Sequence, residues 1–307
     1  MDVERISSGI PFLDWALGGG WPMRRIVEIY GTESSGKTLT TLLTMAEAQK
    51  AGKSVVLIDA ENSFDPAFAE SLGVDLSKLI VSQSSIGEST MDIMLDVLKA
   101  EPDVVVLDSI AAMVPQAELD NPMDKDTMAL TARVMGKALR KITAVNKHSL
   151  IIFVNQVRSS MALYGASLTT PGGRGVKHFC SVRVQIARGD FIKEKDEYLG
   201  QMVKFKVVKN KTAAPWRQGY YKFLYATDSA KPIVDRADSL VSMAILENTI
   251  SRSGSFYSLG EHKYQGRVAL EEALREDEKL YNELYEKTLA KGRKTNSKKV
   301  SGKSTKA

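Results

Sequence analysis

Residues Gly31 to Thr38 read GTESSGKT, which is the pattern G-x-x-x-x-G-K-T. Its chemistry is phosphate binding. Gly31 and Gly36 let the backbone wrap closely around an anion, and the N–H groups of Glu33, Ser34 and Ser35 between them can point inward. Lys37 carries positive charge to the outer phosphates of a nucleotide such as ATP, and Thr38 offers a hydroxyl to Mg²⁺. Leu39 follows in the helix whose N-terminus adds partial positive charge. A Gly-rich turn with a helix-starting lysine is the simpler alternative, but it leaves the joint placement of both glycines and the threonine unexplained.

Three further polar residues stand at the ends of apolar runs. Asp108 ends VVVLD, where a carboxylate would hold Mg²⁺ or its water. Alone, such an Asp is more often a cap or turn residue. Glu61 follows SVVLIDA and could deprotonate an attacking water; alone it reads as a surface carboxylate. Gln156 ends LIIFVNQ, where its amide could sense a terminal phosphate. Ligands of open α/β sheets bind at the carboxyl ends of the strands, so the four positions are better explained together than separately. Gln156 also opens a stretch, to Phe179, without clear periodicity. A ligand event there could change the order of residues 157–178, an order–disorder switch.

The elements that would hold these residues alternate. Strand-like runs are 25–30, 54–59, 104–108, 150–155, 182–187, 203–208 and 221–226; helical patterns cover 38–51, 88–100 and about 127–146. The fold class expected is α/β, with a mostly parallel central sheet that ends in antiparallel strands, because the last strands follow one another without helices. From Arg236 the texture changes. Residues 236–290 read as a small α+β C-terminal domain after a 1–235 core. Leu270, Ala273, Leu274, Leu280, Leu284 and Thr288 form an apolar stripe on one long helix. The end, 291–307, is basic without an acid and is expected to be disordered.

Composition narrows the class. Of 307 residues 43% are hydrophobic and 26% charged, which is globular, and the net charge of +5 permits a polyanionic partner without requiring one. The single cysteine, Cys180, rules out an internal disulfide and suits a reducing compartment. The three histidines are too scattered for a zinc site. No signal peptide and no membrane-length apolar run is read, so a cytoplasmic protein (in host cytoplasm if viral) without membrane contact is expected.

Longer stretches carry a resemblance. RIVEIYGTESSGKT (25–38), LIDAENSFDPAFAESLGVD (57–75), VVVLDSIAAMVPQAEL (104–119), IIFVNQVR (151–158), TTPGGRGVKHF (169–179) and VVKNKTAAPW (207–216) together resemble the RecA-type homologous recombinases of bacteria and phages. The resemblance runs from about residue 6 to 226; beyond it only GSFYSLGEHKYQG (254–266) matches loosely. It implies a RecA-like P-loop ATPase core, a DNA-dependent ATPase that forms homo-oligomeric helical filaments on single-stranded DNA, and strand exchange with double-stranded DNA.

By position, the resemblance makes Glu61 the catalytic base and Gln156 the γ-phosphate sensor. It places Asp65 and Phe68 at adenine, although Phe68 by itself reads as a helix core residue. Lys209 and Lys211 become the pair that reaches ATP on the adjacent subunit. In VKFKVVKNK, strict alternation puts Val203, Phe205, Val207, Lys209 and Lys211 on one strand face. Solvated strand-end lysines are the plain alternative.

The same resemblance assigns two DNA loops. In 118–130 Met128 would insert between bases, followed by a helix on which Arg133, Lys137 and Arg140 share one face. In the stretch after Gln156, Arg158 and Arg174 would pair with phosphates, Met161 would wedge between bases, and Gly172, Gly173 and Gly175 would let the backbone approach DNA. Free of DNA, that loop is expected to be disordered.

Three departures from the family pattern stand out. Only a few residues precede ISSGIPFLDWALGG, so the extra N-terminal helix of cellular members is expected to be absent or reduced. The tail is basic where theirs is often acidic, which would attract duplex DNA. His178 stands where an aromatic often lies at the subunit interface. A RecA-fold ring helicase or motor, which would share GTESSGKT but needs no TTPGGRG loop or VVKNK pair, and a non-catalytic DNA-binding accessory protein, which ATP turnover with and without single-stranded DNA would separate, are the alternative functions.

Overall fold

A computed structural model describes residues 3–121, 130–160, 167–227 and 230–301. Near the start, β1 (Arg5–Ile6) pairs with β2 (Trp21–Pro22) around α1 (Pro11–Leu17), which ends at Gly18. The alternating part follows: β3 (Ile26–Gly31), α2 (Lys37–Lys50), β4 (Val55–Asp59), α3 (Pro66–Ser71), β5 (Leu79–Gln83), α4 (Gly87–Lys99) and β6 (Val104–Asp108). After a short α5 (Gln116–Leu119) come α6 (Leu130–Val145) and β7 (Leu150–Gln156).

The nine-stranded sheet also takes β10 (Val182–Glu194), β11 (Glu197–Asn210), β12 (Gln218–Leu224) and β13 (Ile233–Val234), in the order β13-β12-β11-β10-β3-β7-β6-β4-β5. From β10 to β5 neighbours are parallel; β11, β12 and β13 add antiparallel pairs at one side. The residues explain the difference. β4 and β6 are wholly buried Val/Ile/Leu runs, as expected for strands covered on both faces, whereas β11 alternates Val203, Phe205 and Val207 with exposed lysines. The edge strand β5 escapes sequence reading because it is short and largely exposed.

Two apolar clusters lie on the two faces. One gathers Val27, Ile29, Ile152 and Val184 with α2 and α1; the other gathers Ile26, Ile151 and Phe153 with α4 and α6. In the stretch after Gln156 the described residues form regular structure. β8 (Arg158–Ser160) pairs with β9 (Ser167–Thr169), and α7 (Gly173–Phe179) follows. The expectation of disorder there is corrected for the described residues. Three-residue strands and a seven-residue helix are simply too short to leave a periodic signal.

Beyond residue 235, α8 (Arg236–Leu246) precedes a three-stranded sheet of β14 (Ser251–Ser253), β15 (Phe256–Leu259) and β16 (His262–Gln265). The long helix read from the sequence is two, α9 (Arg267–Glu276) and α10 (Glu278–Ser301). They divide at Asp277, which is extended and whose carboxylate accepts a hydrogen bond (2.9 Å) from the Leu280 N–H, starting the second helix. α10 continues into the basic stretch. Leu240, Leu270, Leu284 and Leu289 join the same cluster as Phe12 and Trp15 of α1. No described helix is long and apolar enough to cross a membrane.

Candidate nucleotide and DNA site

GTESSGKT joins β3 to α2 at the carboxyl end of the sheet. Gly31 is dictated by packing, since a Cβ there would run into the Ile186 carbonyl oxygen of β10. Ser34 and Gly36 turn the loop with φ of 52° and 98°. The Lys37 ammonium donates back to the Thr32 carbonyl at 2.6 Å, inside the loop it would share with phosphates. Burial lowers its pKa, opposed by the charges of Asp108, Glu61 and Glu33. The Ser35 hydroxyl is buried with no partner among the described residues.

Thr38 donates from Oγ1 to Asp108 Oδ2 at 3.0 Å, so the loop and the end of β6 meet. Burial pushes the Asp108 carboxyl up to about 6; the Thr38 hydroxyl works against this, Glu61 with it. A bound cation would relieve that buried charge, and the hydroxyl–carboxylate pair is a suitable donor set for Mg²⁺. Glu61 is exposed, but its segment is fastened: the Ala60 and Glu61 N–H groups both donate to the Asp108 carbonyl, at 2.7 and 3.2 Å. Gln156 is opposite Gly31 in the β3–β7 ladder, and the Val157 N–H donates to the Gly31 carbonyl at 3.1 Å. The structure thus brings Lys37, Thr38, Glu61, Asp108 and Gln156 to one sheet edge.

Asp65 and Phe68 lie close by, on α3. The Asp65 carboxylate caps that helix through the Phe68 N–H (3.0 Å), and Phe68 is half-buried, edge-on to Phe223 with centroids 6.5 Å apart. A cavity of about 250 Å³ beside Ser34–Leu39 is walled by Gln201, Phe223 and Tyr225. Sequence reasoning missed these three. Phe223 and Tyr225 alternate along β12 and the chain just after it, which was the one available signal.

The lysines require a correction. Register along β10 and β11 shifts between Arg183 and Val184: Val184 pairs with Val207, but Arg183 pairs with Lys209. Val208 is the extra residue of a bulge, so Lys209 faces away from the side of Val203, Phe205 and Val207. Alternation fails across such an insertion. Lys209 Nζ donates to the carbonyls of Lys177 (2.6 Å) and His178 (3.0 Å), at the C-terminal end of α7. Burial lowers its pKa, and the nearby charge of Lys211 adds to this. Lys211 is exposed and shares a cavity with Arg24, Arg25 and His178.

On the expected DNA side, α6 buries Met135, Ala138, Leu139 and Ile142 and exposes Arg133, Lys137 and Arg140. Arg174 is exposed on α7. Arg158 is on β8. Met128 and Met161 lie outside the described residues. Gly172 is buried with φ of 86°, and a Cβ there would come within 2.7 Å of Val176 and 3.3 Å of Ile110; one on Gly173 would meet Ala132 at 2.9 Å. Internal packing of α7 against α6 therefore accounts for both glycines.

Residues 1–229 match the family model described as the RecA N-terminal domain. A curated "Protein RecA" of Chlorobium limicola is 43% identical over 291 residues, covering 93% of this chain and 82% of the relative. That of Acholeplasma laidlawii is 42% identical, with 93% and 86% covered, and that of Clostridium novyi 40% identical, with 98% and 88% covered. The chain belongs to the RecA family. It is a DNA-dependent ATPase of DNA recombination and repair, and its phosphate loop is that of a nucleotide-binding ATPase.

Proposed function

We propose that the chain binds ATP with Mg²⁺ at GTESSGKT, assembles as a helical filament on single-stranded DNA, and exchanges strands with homologous double-stranded DNA in the cytoplasm. Thr38 and Asp108 would hold the metal, which screens phosphate charge when bound. Glu61 takes the proton of the attacking water, and Lys37 steadies charge on the transferred group. Gln156 reports the terminal phosphate to the segment that follows it. Phe68 and Asp65, with the Phe223–Tyr225 wall, offer a flat apolar slot suited to a nucleobase.

The observation that carries this reading is where Lys209 and Lys211 stand. The Lys211 N–H donates to the Ser181 carbonyl, and the Ser181 N–H to that of Ile26, level with the start of β3. The phosphate loop begins after Gly31, at the other end of that strand, roughly 16 Å away at the rise of an extended chain. Lys211 is thus remote from its own protomer's phosphate loop, and Lys209, level with Glu28, has its ammonium turned to the end of α7, which supports a role at a neighbour's nucleotide. A head-to-tail contact that delivers them to a neighbour's generates a ring or a helix and makes turnover depend on assembly.

Arg133, Arg140, Arg158 and Arg174, with Met128 and Met161 from the two loops, are proposed to take DNA through phosphates and stacking. Binding of this kind tolerates sequence and weakens with salt. Joint-molecule formation between homologous single- and double-stranded DNA, with ATP and Mg²⁺, tests the proposal. No joint molecules, with closed rings or lone protomers on single strands in electron micrographs, would refute it.

A further inference from the structure

A row of polar side chains crosses four neighbouring strands beneath α7. Lys209 on β11 is opposite Arg183 on β10, and Arg183 is opposite Glu28 on β3. Arg183 Nε donates to Glu28 Oε2, and its guanidinium lies 4.6 Å from the Tyr30 ring centroid. Glu28 Oε1 accepts from Asn155 Nδ2 at 2.9 Å, on β7. Glu28 and Asn155 are both fully buried.

Asn155 spends every hydrogen-bonding direction it needs. Its second amide hydrogen goes to the Pro171 carbonyl (3.0 Å), just before α7 begins, and its Oδ1 accepts from the Gln156 N–H (3.0 Å). One buried side chain therefore touches the residue read as the phosphate sensor and the carbonyl that anchors the returning end of the DNA loop. Ser or Thr has one hydrogen too few for this, and Gln is a methylene too long. At its far end α7 is held by Lys209, so the helix is pinned from both sides by members of the same row.

We propose that Asn155 is a positioning residue that couples nucleotide occupancy at Gln156 to the placement of Pro171 and α7. This rests on the reading of Gln156 and residues 157–178 given above. A shift of the β7 end toward a terminal phosphate carries the Asn155 amide with it, and Pro171 follows or loses its donor. Unpairing that half-buried carbonyl is unfavourable, so Gln156 and Pro171 move together.

The test measures affinity for a labelled oligonucleotide by fluorescence anisotropy, with and without a non-hydrolysable ATP analogue, beside direct binding of a fluorescent ATP analogue. Asn155→Ala should bind the nucleotide as wild type does, yet the nucleotide-induced tightening on DNA should shrink about tenfold, a typical size for coupling between sites. The pair Glu28→Gln with Asn155→Asp restores the contact between positions 28 and 155 and the net charge, but no donor faces Pro171. It should stay folded, with a lower melting temperature because that carbonyl is unpaired, and stay uncoupled. Full tightening in either variant overturns the proposal, as does loss of nucleotide binding in Asn155→Ala, which would place Asn155 in the nucleotide site itself. A wild type that shows no nucleotide effect on DNA would instead overturn the reading of Gln156 beneath it.

Discussion

Replacing Asp108 by Asn should make the nucleotide-free protein more stable while removing the carboxylate proposed to hold Mg²⁺. The carboxyl is only 8% exposed and ionises at about 6 rather than at the ordinary 3.8, with burial the largest cause. A group whose pKa is raised in the folded chain contributes stability that is present below its unfolded value and lost as the pH rises through its folded value. The window here runs from about pH 4 to about pH 6. Across it, at 1.36 kcal/mol per pH unit, the ionised form costs about 3 kcal/mol. Asn can still accept the Thr38 hydrogen bond and carries no charge to bury. Urea unfolding without nucleotide should put Asp108→Asn about 2–3 kcal/mol above wild type near pH 8 and within about 0.5 kcal/mol of it near pH 4. Adding Mg·ATP should reverse the order near pH 8, because only the wild type gains strongly from the ligand. A variant less stable than wild type by the same amount at both pH values would show the carboxylate to be a structural asset, and would refute this account.

Three further outcomes are expected. Glu61→Gln should retain nucleotide binding and lose ATP turnover with single-stranded DNA; normal hydrolysis would remove Glu61 from its role. Gly172→Ala forces a Cβ into the left-handed region against Val176 and should cost about 2–4 kcal/mol, read as a melting temperature several degrees lower, with a shift under about 1 °C contradicting the packing argument. Truncation after Arg293 keeps the part of α10 where Gly292 packs on Trp15, and should weaken duplex binding at low salt and flatten its salt dependence; unchanged binding would show that the tail does not touch DNA.

Much of the site was legible because its residues sit at the ends of long apolar runs. GTESSGKT, Asp108 and Gln156 each close a buried strand, and parallel strands announce themselves as continuous Val/Ile/Leu. What escaped was short or displaced by one residue. β5 is too exposed, and β8, β9 and α7 are too brief, to show a period. The bulge at Val208 reverses the face of Lys209, and nothing local in VKNK marks it. Asp277 interrupts an otherwise helical stripe by capping the next helix. Asn155 looked like one more polar residue beside Gln156; its contacts to Glu28 and Pro171 join residues distant in the chain.

The grip of Lys209 on α7 fixes its ammonium within the single protomer. An ammonium group has three hydrogens, and two are already committed to carbonyls at the end of that helix. One is left for an anion on another molecule. A neighbour docking on this face would meet a charge whose position is already fixed. Little side-chain freedom would then remain to be lost on contact.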